Sequence, residues 1–117
     1  MDATATDLAP ERAQQLIREG AKAVDVRGPD EHDAGHIPGD TPIPFDQLKD
    51  RAGELAGAPV VLYCRSGDRS GAAVQALRAS GFDAYSIDGG LLAWTEQGLP
   101  IEPDGGYVSE QHTLPPR

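Results

Sequence analysis

Apolar residues recur at the helical spacing of three and four positions in four segments of the chain. The first segment places Ala13, Leu16 and Ile17 on one face, and Pro10 before them suits a first helical turn. Gly20 after them suits a C-terminal cap. We therefore predict four helices, over residues 10–19, 45–55, 72–81 and 91–97.

Three short apolar runs with β-branched residues alternate with these helices. The runs cover residues 23–26, 60–63 and 84–87, and Val60-Val61-Leu62-Tyr63 is the clearest of them. Runs of this length, bounded by glycine or proline, are typical of buried strands. Strands that alternate with helices predict an α/β fold, with a central parallel sheet and helices on both of its faces.

A long interruption follows the first strand. Residues 28–44 contain four prolines and three glycines, which are too many for regular structure, and so predict a loop with one turn over residues 30–33. Loops of this length between regular elements often carry function.

The end of the chain also lacks a regular pattern. Prolines and glycines recur over residues 99–117 and predict an extended tail, packed on the domain through Leu99, Ile101 and Tyr107. We therefore divide the chain into one domain over residues 1–98 and a C-terminal extended tail.

Composition narrows the classes of function. The net charge of -9 and the isoelectric point near 4.5 argue against binding to nucleic acid or to an anionic membrane, because both require clustered lysine and arginine. No apolar stretch approaches the roughly 18 residues of a membrane span, and residues 1–7 lack the basic and apolar regions of a secretory signal. These two features lead us to expect a cytoplasmic protein. We also expect one folded unit, because 117 residues are the usual size of a single domain.

The one cysteine, Cys64, follows the clearest strand and precedes a helix. A lone cysteine forms neither an internal disulfide nor a CxxC site, so chemistry there uses one sulfur or recruits another from outside. Open α/β sheets bind ligands at the carboxyl ends of their strands, and the amides of a short loop before a helix form a cradle for negative charge. We expect this cradle to stabilise an anionic group on Cys64.

Arg65, Gly67 and Arg69 follow the cysteine within five residues. Cysteine reacts as its thiolate, which neighbouring arginines and helix N-termini favour. Guanidinium groups bind oxyanions such as thiosulfonate or sulfite, and glycine lets the backbone bend without crowding the pocket. A lone cysteine is more often a buried structural thiol, and a single arginine often pairs with a surface carboxylate. Their combination at a strand-to-helix junction favours a nucleophile.

Four segments resemble, in order, those of the rhodanese family, and the resemblance extends from about Leu8 to Gly98. The segments are Asp25-Val26-Arg27 with Glu31, Gly35-His36-Ile37-Pro38-Gly39, Cys64-Arg65-Ser66-Gly67-Asp68-Arg69-Ser70, and Gly89-Gly90 with Ala93-Trp94. The resemblance implies a rhodanese-like fold and a single-domain transferase of the thiosulfate sulfurtransferase type.

By this resemblance, Cys64 is the catalytic residue: it accepts sulfane sulfur from thiosulfate or a persulfide donor as a persulfide and passes it to cyanide or a thiol. The resemblance also implies that Arg65 and Arg69 receive the anionic part of the donor. The implied substrate-binding residues are Arg65, Ser66, Gly67, Asp68, Arg69 and Ser70. No metal or organic cofactor is implied.

The supporting residues are expected to brace the loops around the site rather than to move protons. They are Asp25, Arg27, Glu31 and His36. Persulfide transfer needs little proton movement once the thiolate is present, so His36 is interpreted as a residue that fixes its loop. Two features depart from the family pattern: Asp40 stands where a small apolar residue is common, and residues 104–117 have no counterpart.

Two other classes of function stay open. Cysteine phosphatases and arsenate reductases resemble Cys-x5-Arg, whereas here Arg69 lies five positions after Cys64 and Ser70 occupies the sixth. A loop that is one residue shorter leaves less room for phosphate and favours a sulfur atom. A non-enzymatic rhodanese-like binding or redox-sensing module usually has a replaced cysteine or a degraded loop, and neither change is present.

Small-molecule sulfur donors and a protein sulfur acceptor both fit the arginine-flanked loop.

Overall fold

A five-stranded parallel sheet forms the centre of the computed structural model, which describes residues 6–110. The strands are β1 (Asp7–Leu8), β2 (Lys22–Asp25), β3 (Thr41–Pro42), β4 (Val60–Tyr63) and β5 (Ala84–Ile87). Their order across the sheet is β1-β5-β4-β2-β3, and each neighbouring pair is parallel. The predicted α/β fold is confirmed.

Five α-helices connect or follow the strands in the described part of the chain. They are α1 (Pro10–Arg18), α2 (Pro29–Ala34), α3 (Leu48–Arg51), α4 (Asp68–Ala79) and α5 (Gly90–Glu96). The single helix predicted over residues 45–55 is a short α-helix, α3, between two 3-10 turns, Phe45–Gln47 and Ala52–Leu55. None of these helices is long and apolar enough to span a membrane.

The helices cover both faces of the sheet, as the alternation predicted. On one face, Leu48 and Leu55 from the α3 region and Val74 from α4 belong to one buried cluster with Leu62 of β4. On the other face, the side chains of α1 and α5 pack with Tyr63, and Trp94 of α5 is buried there. Strand β4 is buried along its whole length because it has neighbours on both sides and helices above and below.

Four elements differ from the sequence prediction. Strands β1 and β3 were missed because two residues are too few to show a period, and both lie at the edges of the sheet. Helix α2 occupies part of the predicted loop, and the signals for it are Pro29 at its first turn followed by the acidic Asp30 and Glu31. Helix α4 begins at Asp68, four residues earlier than predicted.

The C-terminal segment lies against the second face of the sheet. Leu99 and Ile101 pack against the cluster that contains Trp94, as predicted, but the side chain of Tyr107 is 63% exposed, so the prediction for Tyr107 was wrong. The segment is anchored instead by its backbone, since His36 and Glu102 exchange two N–H···O bonds of 2.8 Å. Residues 1–5 of the predicted domain and 111–117 of the predicted tail lie outside the described residues.

Candidate active site

Cys64 lies at the carboxyl end of β4, where two backbone amides point to its sulfur. The N–H of Gly67 donates to Sγ at 3.1 Å, and the N–H of Ser70 points to the same atom at 3.5 Å. Gly67 has a φ of 111°, a left-handed conformation that glycine adopts without strain, and this conformation turns the chain into α4. Cys64 is 1% exposed. The amides and the N-terminus of α4 together favour negative charge on the sulfur.

The backbone of this loop is held from behind by α5. The N–H of Leu91 donates to the carbonyl of Cys64 at 2.9 Å, and that of Leu92 donates to the carbonyl of Arg65 at 3.1 Å. Gly90 permits this contact, because a Cβ at that position would lie 2.5 Å from the Arg65 oxygen and 2.7 Å from the Cys64 oxygen. Of the Gly89-Gly90 pair noted in the sequence, Gly90 therefore allows a second helix to fix the loop that carries the cysteine.

The two loop arginines have different surroundings. Arg69 forms two hydrogen bonds of 3.0 Å with the carboxylate of Glu31, which is itself buried. Burial acts to lower the pKa of Arg69, but the hydrogen bond and charge of Glu31, with the nearby sulfur of Cys64, outweigh it and raise the pKa. Arg65 has no carboxylate within 4.0 Å among residues 6–110, and its buried Nε has no hydrogen-bond partner there.

A buried ion pair lies beside Glu31. Arg27 donates from Nε and Nη2 to the carboxylate of Asp25 at 2.8 and 2.7 Å, and Nη2 also donates to the carbonyl of Gly35 at 2.6 Å. Burial opposes the charge of Arg27, but the hydrogen bond and charge of Asp25 raise its pKa above the ordinary value. This pair joins the end of β2 to the turn after α2, and α2 carries Glu31.

Tyr63 and Asp40 form a contact that the sequence did not predict. The hydroxyl of Tyr63 donates to Oδ2 of Asp40 at 2.6 Å and accepts from the N–H of Ile37 at 3.0 Å. Burial raises the pKa of Asp40, and the hydrogen bond from Tyr63 acts in the opposite direction. Asp40, which departs from the family pattern, therefore ties its loop to the residue that precedes Cys64. Within an apolar run, Tyr63 had given no signal beyond that of a core residue.

His36 lies in this same region rather than at the sulfur. Its Nδ1 lies 2.8 Å from the carbonyl of His32, whose own Nδ1 lies 2.9 Å from Oδ2 of Asp25. The two imidazole rings are stacked with their centroids 3.9 Å apart. The possible metal-ligand atoms of His32, His36 and Asp40 lie within 4.8 Å of one another. The two stacked imidazole rings, however, direct their in-plane lone pairs side by side rather than toward one point, which does not suit coordination of a single metal ion.

The structure thus places the predicted site residues in two layers. In the first layer, Gly67 and Ser70 contact the sulfur of Cys64. In the second layer, Glu31 reaches the loop through Arg69, and Asp25 with Arg27 supports the segment that carries Glu31. A cysteine in a strand–loop–helix cradle of backbone amides, at the carboxyl end of a strand in an α/β sheet, is the arrangement found in proteins that transfer sulfur or phosphoryl groups through cysteine.

Comparison with known proteins identifies the family within that class. The profile of the rhodanese-like domain matches residues 9–97. The chain therefore belongs to the rhodanese-like domain family, as its four sequence segments had indicated.

Individual relatives agree with this assignment. Thiosulfate sulfurtransferase GlpE of Pseudomonas paraeruginosa is 39% identical over 97 residues, which cover 80% of this chain and 87% of GlpE. The protein YqhL of Bacillus subtilis is 45% identical over 76 residues, which cover 63% of this chain and 60% of YqhL. A rhodanese-related protein from Thermoplasma volcanium superposes with a TM-score of 0.77 at 28% identity, covering 82% of this chain and 96% of that structure. The chain spans roughly half the length of further curated relatives, 56% and 43% of two of them.

Proposed function

We propose that this chain is a sulfurtransferase that carries sulfane sulfur on Cys64 between a small donor and an acceptor. The observation that carries the proposal is the position of Sγ, 3.1 Å from the amide nitrogen of Gly67 and at the N-terminus of α4. Among the relatives, the proteins named thiosulfate sulfurtransferase support the same reaction class. The cytoplasmic location expected from the sequence belongs to this proposal.

The reaction has two displacement steps. In the first, the Cys64 thiolate attacks the outer sulfur of thiosulfate; a new S–S bond forms, the old S–S bond breaks, and sulfite leaves with the electron pair. In the second, cyanide or a thiolate attacks the outer sulfur, and the electron pair returns to Sγ. Neither step needs a metal or a redox partner, and the covalent intermediate gives ping-pong kinetics. The amides of the loop from Arg65 to Ser70 stabilise the anionic sulfur in both steps.

The two arginines take different parts in this scheme. Arg69 is held by Glu31 in two hydrogen bonds, so its main role is to keep the first turn of α4 in place. Arg65 has no carboxylate partner among the described residues, and its free guanidinium suits the sulfonate oxygens of the donor. Arg65 is therefore the loop arginine that we assign to donor binding.

The burial of Cys64, which is 1% exposed, favours one other candidate, a rhodanese-like module that binds a partner without turning over small donors. It also weakens the redox-sensor alternative, because sensor cysteines are solvent-accessible. A cysteine phosphatase fits less well, because Ser70 rather than arginine occupies the sixth position after the cysteine and its N–H points toward Sγ.

Intact-protein mass spectrometry tests the proposal. The reduced protein is incubated with thiosulfate and, separately, with glutathione persulfide, and Cys64→Ser is treated in the same way. We expect the mass of one added sulfur atom on the wild type alone, lost on addition of cyanide with formation of thiocyanate. Folded wild-type protein that gains no sulfur from either donor contradicts the proposal and favours the binding module.

Arg65→Gln separates the roles of the two arginines in the same assay. We expect this variant to load sulfur from thiosulfate at least about tenfold more slowly, the loss that follows removal of one charge-assisted contact. Loading from the persulfide donor is compared in parallel, because that donor lacks a sulfonate group. Arg18→Gln, on the exposed end of α1, is the matched control for loss of one positive charge. Equal slowing by both variants indicates a general effect of net charge.

A further inference from the structure

Two buried serine hydroxyls lie directly behind the sulfur of Cys64. Ser70, in the first turn of α4, has its Oγ 3.6 Å from Sγ, and Ser86, on β5, has its Oγ 2.7 Å from the Oγ of Ser70. Both residues are buried, at 0% and 1% exposure. Ser86 thus reaches the nucleophile through one intervening hydroxyl, although 22 positions separate the two residues in the sequence and Ser86 belongs to no motif.

The hydroxyl protons of this pair can be assigned by counting donors and acceptors. Each serine hydroxyl has one proton to donate and two lone pairs that accept. Ser86 has one side-chain hydrogen-bond partner within the described residues, which is Ser70. Ser70 has three neighbours: the carbonyl of Gly67 at 3.3 Å, the Ser86 hydroxyl and Sγ.

One arrangement uses both protons. If Ser70 donated to Ser86, the proton of the buried Ser86 would have no partner among the described residues, which costs free energy. If Ser86 donates to Ser70, the proton of Ser70 is directed toward either the Gly67 carbonyl or Sγ. When the sulfur is a thiolate, the charge-assisted bond to Sγ is the stronger of the two.

We infer that Ser86 is a positioning residue, which orients the Ser70 hydroxyl so that it donates to the Cys64 sulfur whenever that atom carries negative charge. The inference rests on the proposed function, in which Sγ is a thiolate before sulfur arrives and again as the persulfide S–S bond breaks and the electron pair returns to it. With a protonated thiol, Sγ–H donates to the Oγ of Ser70 at 3.6 Å. In both thiolate states this hydrogen bond reverses, and the sulfur then has three donors: the amides of Gly67 and Ser70 and the Ser70 hydroxyl. No proton leaves the pair, and the hydroxyls only turn.

The test is the pH profile of Cys64 alkylation by iodoacetamide, followed by intact mass in wild type and Ser86→Ala. Alkylation reports the thiolate directly and needs no sulfur transfer, so it is read separately from donor loading. We expect Ser86→Ala to shift the profile to higher pH and to slow alkylation about tenfold on its acidic side, as loss of one hydrogen bond to a charged group requires. The charged groups near the loop are unchanged in this variant: Arg65, Arg69 with its partner Glu31, and the carboxylates of Asp7, Asp68 and Asp88, which line the pocket beside Gly67 and Ser86.

A second pair of variants controls for the small cavity that Ser86→Ala leaves. Ser86→Thr and Ser86→Val have side chains of the same shape and differ in the hydroxyl, and both suit a strand. We expect Thr to retain the wild-type profile and Val to shift it, and we expect Ser70→Ala to shift it at least as far. Ser109→Ala, a buried serine distant from the loop in sequence, is the control for loss of a hydroxyl. Coincident profiles for Thr and Val in folded protein would overturn the inference, whatever the outcome of the sulfur-loading assay.

Discussion

Two hydrogen bonds of 3.0 Å join the guanidinium of Arg69 to the carboxylate of Glu31 across 38 positions of sequence. Glu31 belongs to α2 and Arg69 to the first turn of α4. The pair therefore connects α2 to the loop that carries the cysteine. Glu31 is 3% exposed, and the side chain of Arg69 is 21% exposed. The pair is therefore partly shielded from solvent.

Replacement of Glu31 with glutamine is expected to destabilise both the fold and the loop. Glutamine leaves the charge of Arg69 without a carboxylate, and we expect a loss of about 2 kcal/mol in the free energy of unfolding, reduced from the value for a fully buried pair because Arg69 is partly exposed. Urea unfolding measures the loss. Glu54→Gln breaks the exposed pair with Arg51 and is expected to leave the unfolding midpoint close to that of the wild type. Equal effects of the two substitutions would contradict a special role for the Glu31 pair.

Gly90→Ala is expected to displace the loop of Cys64. The new Cβ would lie 2.5 Å from the oxygen of Arg65, a contact between backbone and side chain that only movement of the loop relieves. We expect a loss of about 3 kcal/mol in stability, together with slower sulfur loading. Gly98→Ala is the matched control, because Gly98 also has a positive φ, 78° against 63°, but no atom within 4 Å of the added Cβ. It should cost about 1 kcal/mol and leave loading unchanged.

Asp40→Asn should change how stability depends on pH. Burial raises the pKa of Asp40 above its ordinary value of 3.8, so the fold favours the protonated form. The stability contributed by Asp40 is then fully present below pH 3.8 and is lost as the pH rises through the raised pKa. Asparagine does not ionise and still accepts from Tyr63, so we expect the variant to be more stable than the wild type at pH 7 and equal to it below pH 3.8. Thermal unfolding between pH 3 and 8 measures the difference, and a constant gap across that range would refute the explanation.

The tail that the sequence separated from the domain is expected to contribute to its stability. Ile101 packs against the cluster of Trp94, so Ile101→Ala should cost about 1–2 kcal/mol through lost apolar contacts, less than a fully buried isoleucine would. Tyr107→Ala, in the same segment, removes a side chain that is 63% exposed and should change stability by less than about 0.5 kcal/mol. Guanidinium unfolding compares the two variants. If Ile101→Ala lowered stability as little as Tyr107→Ala, the predicted boundary between domain and tail at residue 98 would be supported.

The sequence was sufficient for features that depend on local pattern. The continuous apolar run of β4 and its alternation with helix periods predicted the α/β sheet and the position of the cysteine at a strand end. Two-residue edge strands contain too few positions for a period, and their pairing depends on neighbours distant in sequence. For the same reason, β1 and β3 became visible only in the folded chain.

Contacts between segments account for what the sequence left out of the site. Asp40 and Tyr63 are 23 positions apart, and Ser70 and Ser86 are 16 apart, so no spacing rule relates either pair. Arg69 carried the same signal as Arg65 in the sequence, although Glu31 holds only one of them. A partner from another segment decides the role of each residue, and a single sequence gives no direct signal of that partner.

The presence of one cysteine in the chain also limits the timing of the proposed reaction. A protein with a second thiol close by can release a persulfide on its own, by forming a disulfide and expelling the outer sulfur as sulfide. With one cysteine, this chain cannot release the outer sulfur by forming an internal disulfide. Sulfur stored on Cys64 would therefore wait for an acceptor from outside, and the lifetime of the loaded protein would depend on how often that acceptor arrives.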